Sequence, residues 1–164
     1  MTEICYTTPP VYEFSDGELW GNMIMDDLKN WVSEWIYWNI ILDQEGGPCL
    51  VSYPIHNCWE HNQQHPVVII NRDTKKVTYT GLYYYLAHFS KFVRPGAYRI
   101  NCVGGTPSLN YVGFLNTDGS IIFNVINNGY ETDCKILWND KMIIQKLKAH
   151  SITTLKWNNS IKDK

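Results

Sequence analysis

Apolar and polar positions follow two different rhythms along this chain, and the change falls near Pro95. Ahead of it, Ile4 to Thr8 is a short strand candidate closed by Pro9-Pro10. Ser15-Asp16-Gly17-Glu18 has capping-box spacing, Ser at the N-cap and Glu three later, and predicts a helix start. The apolar set Trp20, Ile24, Leu28, Trp31, Val32 and Trp35 continues from it as one face of an α-helix, which makes Trp31 and Trp35 core residues. Ile36 to Leu42 then reads as a nearly continuous apolar strand, of the kind buried on both faces of a parallel sheet. A helix between two such strands is a βαβ unit. Gln44-Glu45-Gly46-Gly47-Pro48 opens a long polar loop, and short strands are predicted at Pro66 to Asn71 and Lys76 to Thr80. Leu82 to Val93 predicts a second helix, stopped by Arg94-Pro95-Gly96.

From Ala97 onward the period is two. Strand-length segments run over Tyr98 to Val103, Tyr111 to Asn116, Ile121 to Asn127, Asp133 to Trp138, Lys141 to Leu147 and Ser151 to Trp157. Asp118-Gly119, Asn127-Asn128-Gly129 and Asn139-Asp140 separate them as turns. Short strands so spaced make a β-sandwich or a small barrel. The expected division is residues 1–96 and 97–164, with no internal repeat.

Composition narrows the function classes. The 164 residues, 45% hydrophobic and 18% charged, are those of an ordinary globular protein. A net charge of −2 with no Lys/Arg cluster argues against nucleic-acid binding. Seven Trp and eleven Tyr exceed what an average core needs, and suit either a core or a carbohydrate site where flat rings stack on sugars. Five Cys without CxxC spacing indicate neither a disulfide framework nor a zinc site. No basic n-region and apolar h-region opens the chain, and the apolar stretch around Trp35 to Leu42 is far short of a membrane span. The sequon Asn158-Asn159-Ser160 matters only in a secreted protein. Glu3, in a short apolar run at the end of a predicted strand, reads as a nucleophile or as a surface or capping carboxylate. Retaining glycoside chemistry needs a second carboxyl about 5 Å away.

Five blocks carry a family resemblance: Thr2-Glu3-Ile4-Cys5, Asn30-Trp31-Val32, Trp35-Ile36-Tyr37-Trp38-Asn39, Glu45-Gly46-Gly47-Pro48 and Tyr85 to Phe92 (Tyr-Leu-Ala-His-Phe-Ser-Lys-Phe). In this order and spacing the chain resembles the C-terminal third of the glucosylceramidases, glycoside hydrolase family 30. Ala149 to Leu155 is similar to the last strand of that family. The resemblance implies the last part of a (β/α)₈ TIM barrel, residues 1–96, followed by an antiparallel β-sandwich, residues 97–164. It implies that the strand of Glu3 is the seventh barrel strand, that Tyr37 to Leu42 is the eighth, and that Leu82 to Val93 is the last barrel helix.

What the resemblance implies about chemistry is a retaining reaction that removes glucose from a β-glucosyl lipid, glucosylceramide. The family nucleophile, the Glu of a Ser/Thr-Glu-x-Cys block, carries over onto Glu3. Trp38 matches a tryptophan lining the sugar pocket, and Cys5 a pocket-wall cysteine read as a packed thiol. The family's pocket-rim Asn falls on Asn57 if the longer Pro48–Pro66 interval takes its extra residues ahead of that position, and on Tyr53 in an ungapped match. The acid/base Glu belongs to an earlier barrel strand that nothing in this chain matches, so the chain reads as part of a longer enzyme. His88 invites a catalytic reading, but its place on a helix after the last strand favours a structural hydrogen bond. Asp43 and Glu45 read as turn-forming or solvated. No metal or organic cofactor is called for.

The expected partner is a glycolipid substrate, with transient membrane-surface contact, no nucleic acid and no transmembrane segment. The compartment is lysosomal or secreted if the parent follows the family. The alternatives are a family-30 relative acting on β-glucan or xylan, or a non-catalytic sandwich that binds carbohydrate or a partner. Two barrel strands alone leave sheet edges and helix stripes uncovered. The purified 164-residue chain is therefore expected to be insoluble or loosely folded and to turn over no glucoside, and an assay on a chromogenic glucoside checks this.

Overall fold

The computed structural model describes residues 14–47 and 65–158. The strand predicted at Ile4 to Thr8 lies outside them. The chain divides into two compact units, Met1–Leu86 and Ala87–Lys164.

In the first unit, helix α1 (Phe14–Lys29) is followed by β1 (Ile41–Asp43), β2 (Val68–Ile70), β3 (Val77–Tyr79) and the start of α2 (Gly81–Ser90). β1 and β2 pair in parallel, Leu42 opposite Ile69, and β2 and β3 pair antiparallel, Ile69 opposite Thr78. The turn between β2 and β3 is built by Asn71, whose side-chain oxygen accepts the N–H groups of Asp73 and Thr74 at 3.0 and 2.8 Å. Trp20, Tyr37, Val67 and Leu82 form the core, with Met23, Trp35, Val68, Tyr83 and Leu86 packed around them. Each large apolar side chain so buried contributes about 1.5–3 kcal/mol.

Three details correct the sequence reading. Helix α1 already includes Phe14, so Ser15 lies within it and is not its N-cap; the Phe14 ring packs 5.4 Å from that of Tyr85. The helix also stops early. The Val32 N–H reaches back to the Asp27 carbonyl at 3.1 Å, which puts Trp31 in the left-handed region at φ 71° and turns it outward, 82% exposed. Trp31 is therefore not core, while Trp35 is partly buried and packs against the core.

The third correction concerns Ile36 to Leu42, which is not one continuous strand buried on both faces. Regular pairing begins at Ile41, after a cis peptide between Trp38 and Asn39. Ile36, Trp38, Ile40 and Ile41 are about half-exposed, and Tyr37 and Leu42 are buried. Only Tyr37 and Leu42 of this run turn fully inward, so its apolar letters do not mark a strand covered on both faces.

In the second unit, β4 (Tyr98–Ile100), β5 (Leu109–Leu115), β6 (Ser120–Asn127) and β9 (Ser151–Asn158) form an antiparallel sheet in the order β4-β5-β6-β9. β7 (Thr132–Trp138) and β8 (Lys141–Leu147) form a separate hairpin. Phe123 and Val125 of β6 pack with Cys134 of β7 and Leu147 of β8. That shared core between two sheets is a sandwich. The hairpin turn Asn139-Asp140 has φ of 46° and 61°, as a two-residue turn requires. β4 ends at Ile100, three residues short of the predicted Val103, ahead of Gly104 and Gly105 at φ 97° and 88°.

Where α1 meets the start of α2, glycine is required for lack of space. A Cβ on Gly17 would lie 2.4 Å from the Gly81 carbonyl oxygen and 2.6 Å from the Tyr85 ring. Helix propensity alone makes Gly17→Ala stabilising by about 1 kcal/mol. Overpacking against fixed backbone costs about 1–3 kcal/mol, so the expected sign is reversed, as chemical denaturation of the variant will show.

Candidate functional site

The site is built on the segment between α1 and β1. Past Trp31, the Trp35 indole N–H donates to the Asp27 carboxylate at 3.1 Å, which ties the segment to the last turns of the helix. The Trp35 and Tyr37 rings stack at 5.9 Å, and the Trp20 ring meets that of Tyr37 edge-on at 4.9 Å. The Tyr37 hydroxyl donates to the His65 backbone carbonyl at 2.5 Å. The His65 ring Nδ1 lies 2.8 and 2.7 Å from the two carboxylate oxygens of Asp16, and this pair is almost wholly buried. With Tyr37 turned into this cluster, the next side chain turns the other way. Trp38 presents an indole that is 48% exposed.

Beyond Trp38 the chain enters β1 and closes in a tight turn. The Asp43 N–H donates to the Gly47 carbonyl at 2.8 Å, and an Asp43 carboxylate oxygen accepts the N–H groups of Glu45 and Gly47, both at 2.8 Å. Gly46, at φ 81°, supplies the conformation this turn needs. The other Asp43 oxygen pairs with the Arg72 guanidinium at 2.8 Å, and Glu45 joins it at 3.2 Å. Asp43 is therefore the turn-forming residue expected, and Glu45 is a half-exposed partner of Arg72.

His88 is structural. Its Nδ1 lies 2.7 Å from the Thr154 hydroxyl, which donates to the Asn124 side-chain oxygen at 2.7 Å, and the Asn124 amide donates back to the His88 carbonyl at 3.2 Å. Burial pushes the imidazole below its ordinary value of 6.5.

Of the residues assigned by sequence, Trp38 is the one the structure describes. Glu3, Cys5 and Asn57 lie outside the described residues, as does Tyr53. The two buried carboxylates of this region, Asp16 and Asp43, are both engaged, so neither is a free acid beside the indole. Among the described residues no three His, Cys, Asp or Glu side chains gather as a metal site, and no helix is long and apolar enough to cross a membrane. Cys102 and Cys134 are free thiols whose burial pushes them above the ordinary value of 9.0. Sequence reasoning missed His65 and Arg72. His65 contacts a partner 49 positions away and Arg72 sits in a polar turn, so neither shows in local spacing.

Comparison with known proteins accounts for both units. Residues 11–93 match the model of the glycosyl hydrolase family 30 TIM-barrel domain, and residues 96–155 that of the family 30 β-sandwich domain. Over 121 residues the chain is 32% identical to putative glucosylceramidase 4 of Caenorhabditis elegans, covering 73% of this chain and 22% of that protein. It is 29% identical to the lysosomal acid glucosylceramidase of Mus musculus over 116 residues, 70% of this chain and 21% of that one. The chain thus spans about a fifth of the length of these relatives. Among solved structures, SrfJ of Salmonella typhimurium is 25% identical with a TM-score of 0.85, covering 98% of this chain and 35% of its own. The endo-β1,6-glucanase BT3312 is 26% identical with a TM-score of 0.79, covering 96% and 35%. The architecture is accordingly the C-terminal part of a TIM barrel followed by a β-sandwich.

The lowered His88 value fixes the sign of one pH effect. Between the folded and unfolded values the unfolded chain binds the extra proton, so stability falls as pH drops below 6.5 and is level above it. Thermal melts of His88→Gln should show a smaller loss than the parent between pH 7 and pH 5, roughly the range around an ordinary histidine.

Proposed function

The chain belongs to glycosyl hydrolase family 30, and on that premise we propose that it supplies the nucleophile and one pocket wall of a retaining β-glycosidase acting on a β-glucosyl lipid. The observation that supports this reading is the 32% identity to putative glucosylceramidase 4 of Caenorhabditis elegans over 121 residues, 73% of the chain. The assignment of Glu3 rests on its Thr-Glu-x-Cys block. Its ionised carboxylate attacks the anomeric carbon, the glycosidic C–O bond breaks, and a glycosyl-enzyme forms. Water then attacks the same carbon and releases the sugar with Glu3 restored. Trp38 stacks on the C–H face of the bound glucose and keeps water from the developing positive charge. Cys5 and Asn57 complete the proposed substrate contacts, as pocket wall and pocket rim.

Leaving-group protonation requires a second carboxyl about 5–5.5 Å from the first. The resemblance assigns that acid to an earlier barrel strand, so we read the catalytic unit as a longer protein that contains these residues. Its barrel portion takes in residues 1–96 and its sandwich residues 97–164. Transient contact with a membrane surface follows from a lipid substrate. A second reading, hydrolysis of a β-1,6-glucan, is favoured by the likeness to an endo-β1,6-glucanase across 96% of the chain.

An activated 2-deoxy-2-fluoro-β-glucoside tests the nucleophile, because its leaving group departs without a proton. In the whole protein, peptide mass spectrometry should find the fluoroglucosyl adduct on Glu3, and Glu3→Gln should abolish it. An adduct on any other carboxylate overturns the assignment. Parallel assays on glucosylceramide and on a β-1,6-glucan separate the two substrates.

A further inference from the structure

We propose that Tyr37, anchored by the buried Asp16–His65 pair, is a positioning residue for Trp38, so that sugar affinity depends on contacts that never touch the sugar. The inference rests on the stacking role given to Trp38 above. Asp16 lies in the first turn of α1, His65 two residues ahead of the core residue Val67, and Tyr37 on the segment between α1 and β1. Three stretches distant in sequence are therefore joined at one point.

The chain of contacts runs one way. The Asp16 carboxylate holds the His65 ring through both oxygens, which fixes where the His65 backbone lies. The His65 carbonyl in turn receives the Tyr37 hydroxyl at 2.5 Å. Trp20 and Trp35 pin the Tyr37 ring edge-on and by stacking, so the phenol has little freedom to rotate. The charged and polar groups of the pair are about nine-tenths buried or more, and their geometry meets both oxygens of one carboxylate with one ring nitrogen. Buried groups of this kind hold a single arrangement, because any shift leaves one of them unsatisfied. Trp38 is the next residue after Tyr37 and is half-exposed. Its indole inherits its direction from the anchored neighbour.

A double-mutant cycle in the whole protein tests this, with the dissociation constant of 1-deoxynojirimycin read by calorimetry. The four proteins are the parent, Tyr37→Phe, Trp38→Ala and the double variant, each checked for folding by circular dichroism. With Trp38 present, Tyr37→Phe should weaken binding about fivefold, the size of one neutral hydrogen bond. In the Trp38→Ala background the same change should have no further effect. An equal loss in both backgrounds, or none with Trp38 present, overturns the proposal while leaving the stacking role intact. If Trp38→Ala itself leaves affinity unchanged, the stacking role falls and this inference falls with it. Should Tyr37→Phe fail to fold, Asp16→Asn replaces it in the cycle, since it keeps one acceptor for the His65 ring while losing the charge and the second oxygen. Its loss of affinity must likewise vanish in the Trp38→Ala background.

Discussion

The contact on which the first unit depends is the buried meeting of Asp16, His65 and Tyr37. Taking a carboxylate and an imidazole out of water is costly unless each finds a partner in good geometry. Here the pairing meets that condition at 2.7 and 2.8 Å, and the His65 carbonyl is used as well. The cost of any other arrangement selects this one. It sets the start of α1 against the approach to β2, and so sets where Pro66 and Val67 enter the core. Thr80 secures the same stretch from the far side, its hydroxyl lying 2.8 and 3.0 Å from the Pro66 and Val67 carbonyls. The parallel β1–β2 register follows from that placement, beginning with the Val68 N–H on the Ile40 carbonyl at 2.8 Å.

The second unit solves a related problem with asparagines. β6 is buried along all eight of its residues, so its polar side chains must find partners inside the protein. The Asn124 oxygen accepts from Thr154 while its amide reaches the His88 carbonyl. The Asn127 amide donates to the carbonyls of Tyr130 and Lys148, and its oxygen accepts the Gly129 N–H. Asn116, just ahead of β6, binds the Phe92 carbonyl, the Ser120 hydroxyl and the Arg94 N–H. Asn116 and Asn127 fasten irregular stretches to the sheet, and Asn124 fastens the last turn of α2. The bonds from Asn116 and Asn124 also draw residues 88–94 to the sandwich strands. The boundary between compact units therefore falls after Leu86 although the barrel-domain match runs to residue 93.

Legibility in the sequence tracked how local the deciding interaction is. β8 was readable at both ends, because a two-residue turn fixes its pairing with β7 within one hairpin. The apolar face of α1 was readable as far as Ile24, but its end was not. The residue in the left-handed position is Trp31, where a glycine would have announced the stop. The apolar letters of Ile36 to Leu42 concealed that only Tyr37 and Leu42 among them are buried. Asp16 looked like a helix-start residue, and its real partner lay 49 positions away. Family resemblance supplied Trp38 as a candidate, and the structure shows a half-exposed indole there. For Glu3, Cys5 and Asn57 the resemblance remains the basis.

The two substrate readings differ less than their names suggest. A tryptophan stacked on a glucose ring meets the same C–H face whether the leaving group is a ceramide or another sugar. A carboxylate attacking the anomeric carbon is equally indifferent to what departs from the other side. Glu3 and Trp38 therefore belong to the glycone half of the proposed site and are compatible with either substrate. Discrimination between a lipid and a glucan must come from groups that touch the leaving portion, because only their interactions differ between the two transition states.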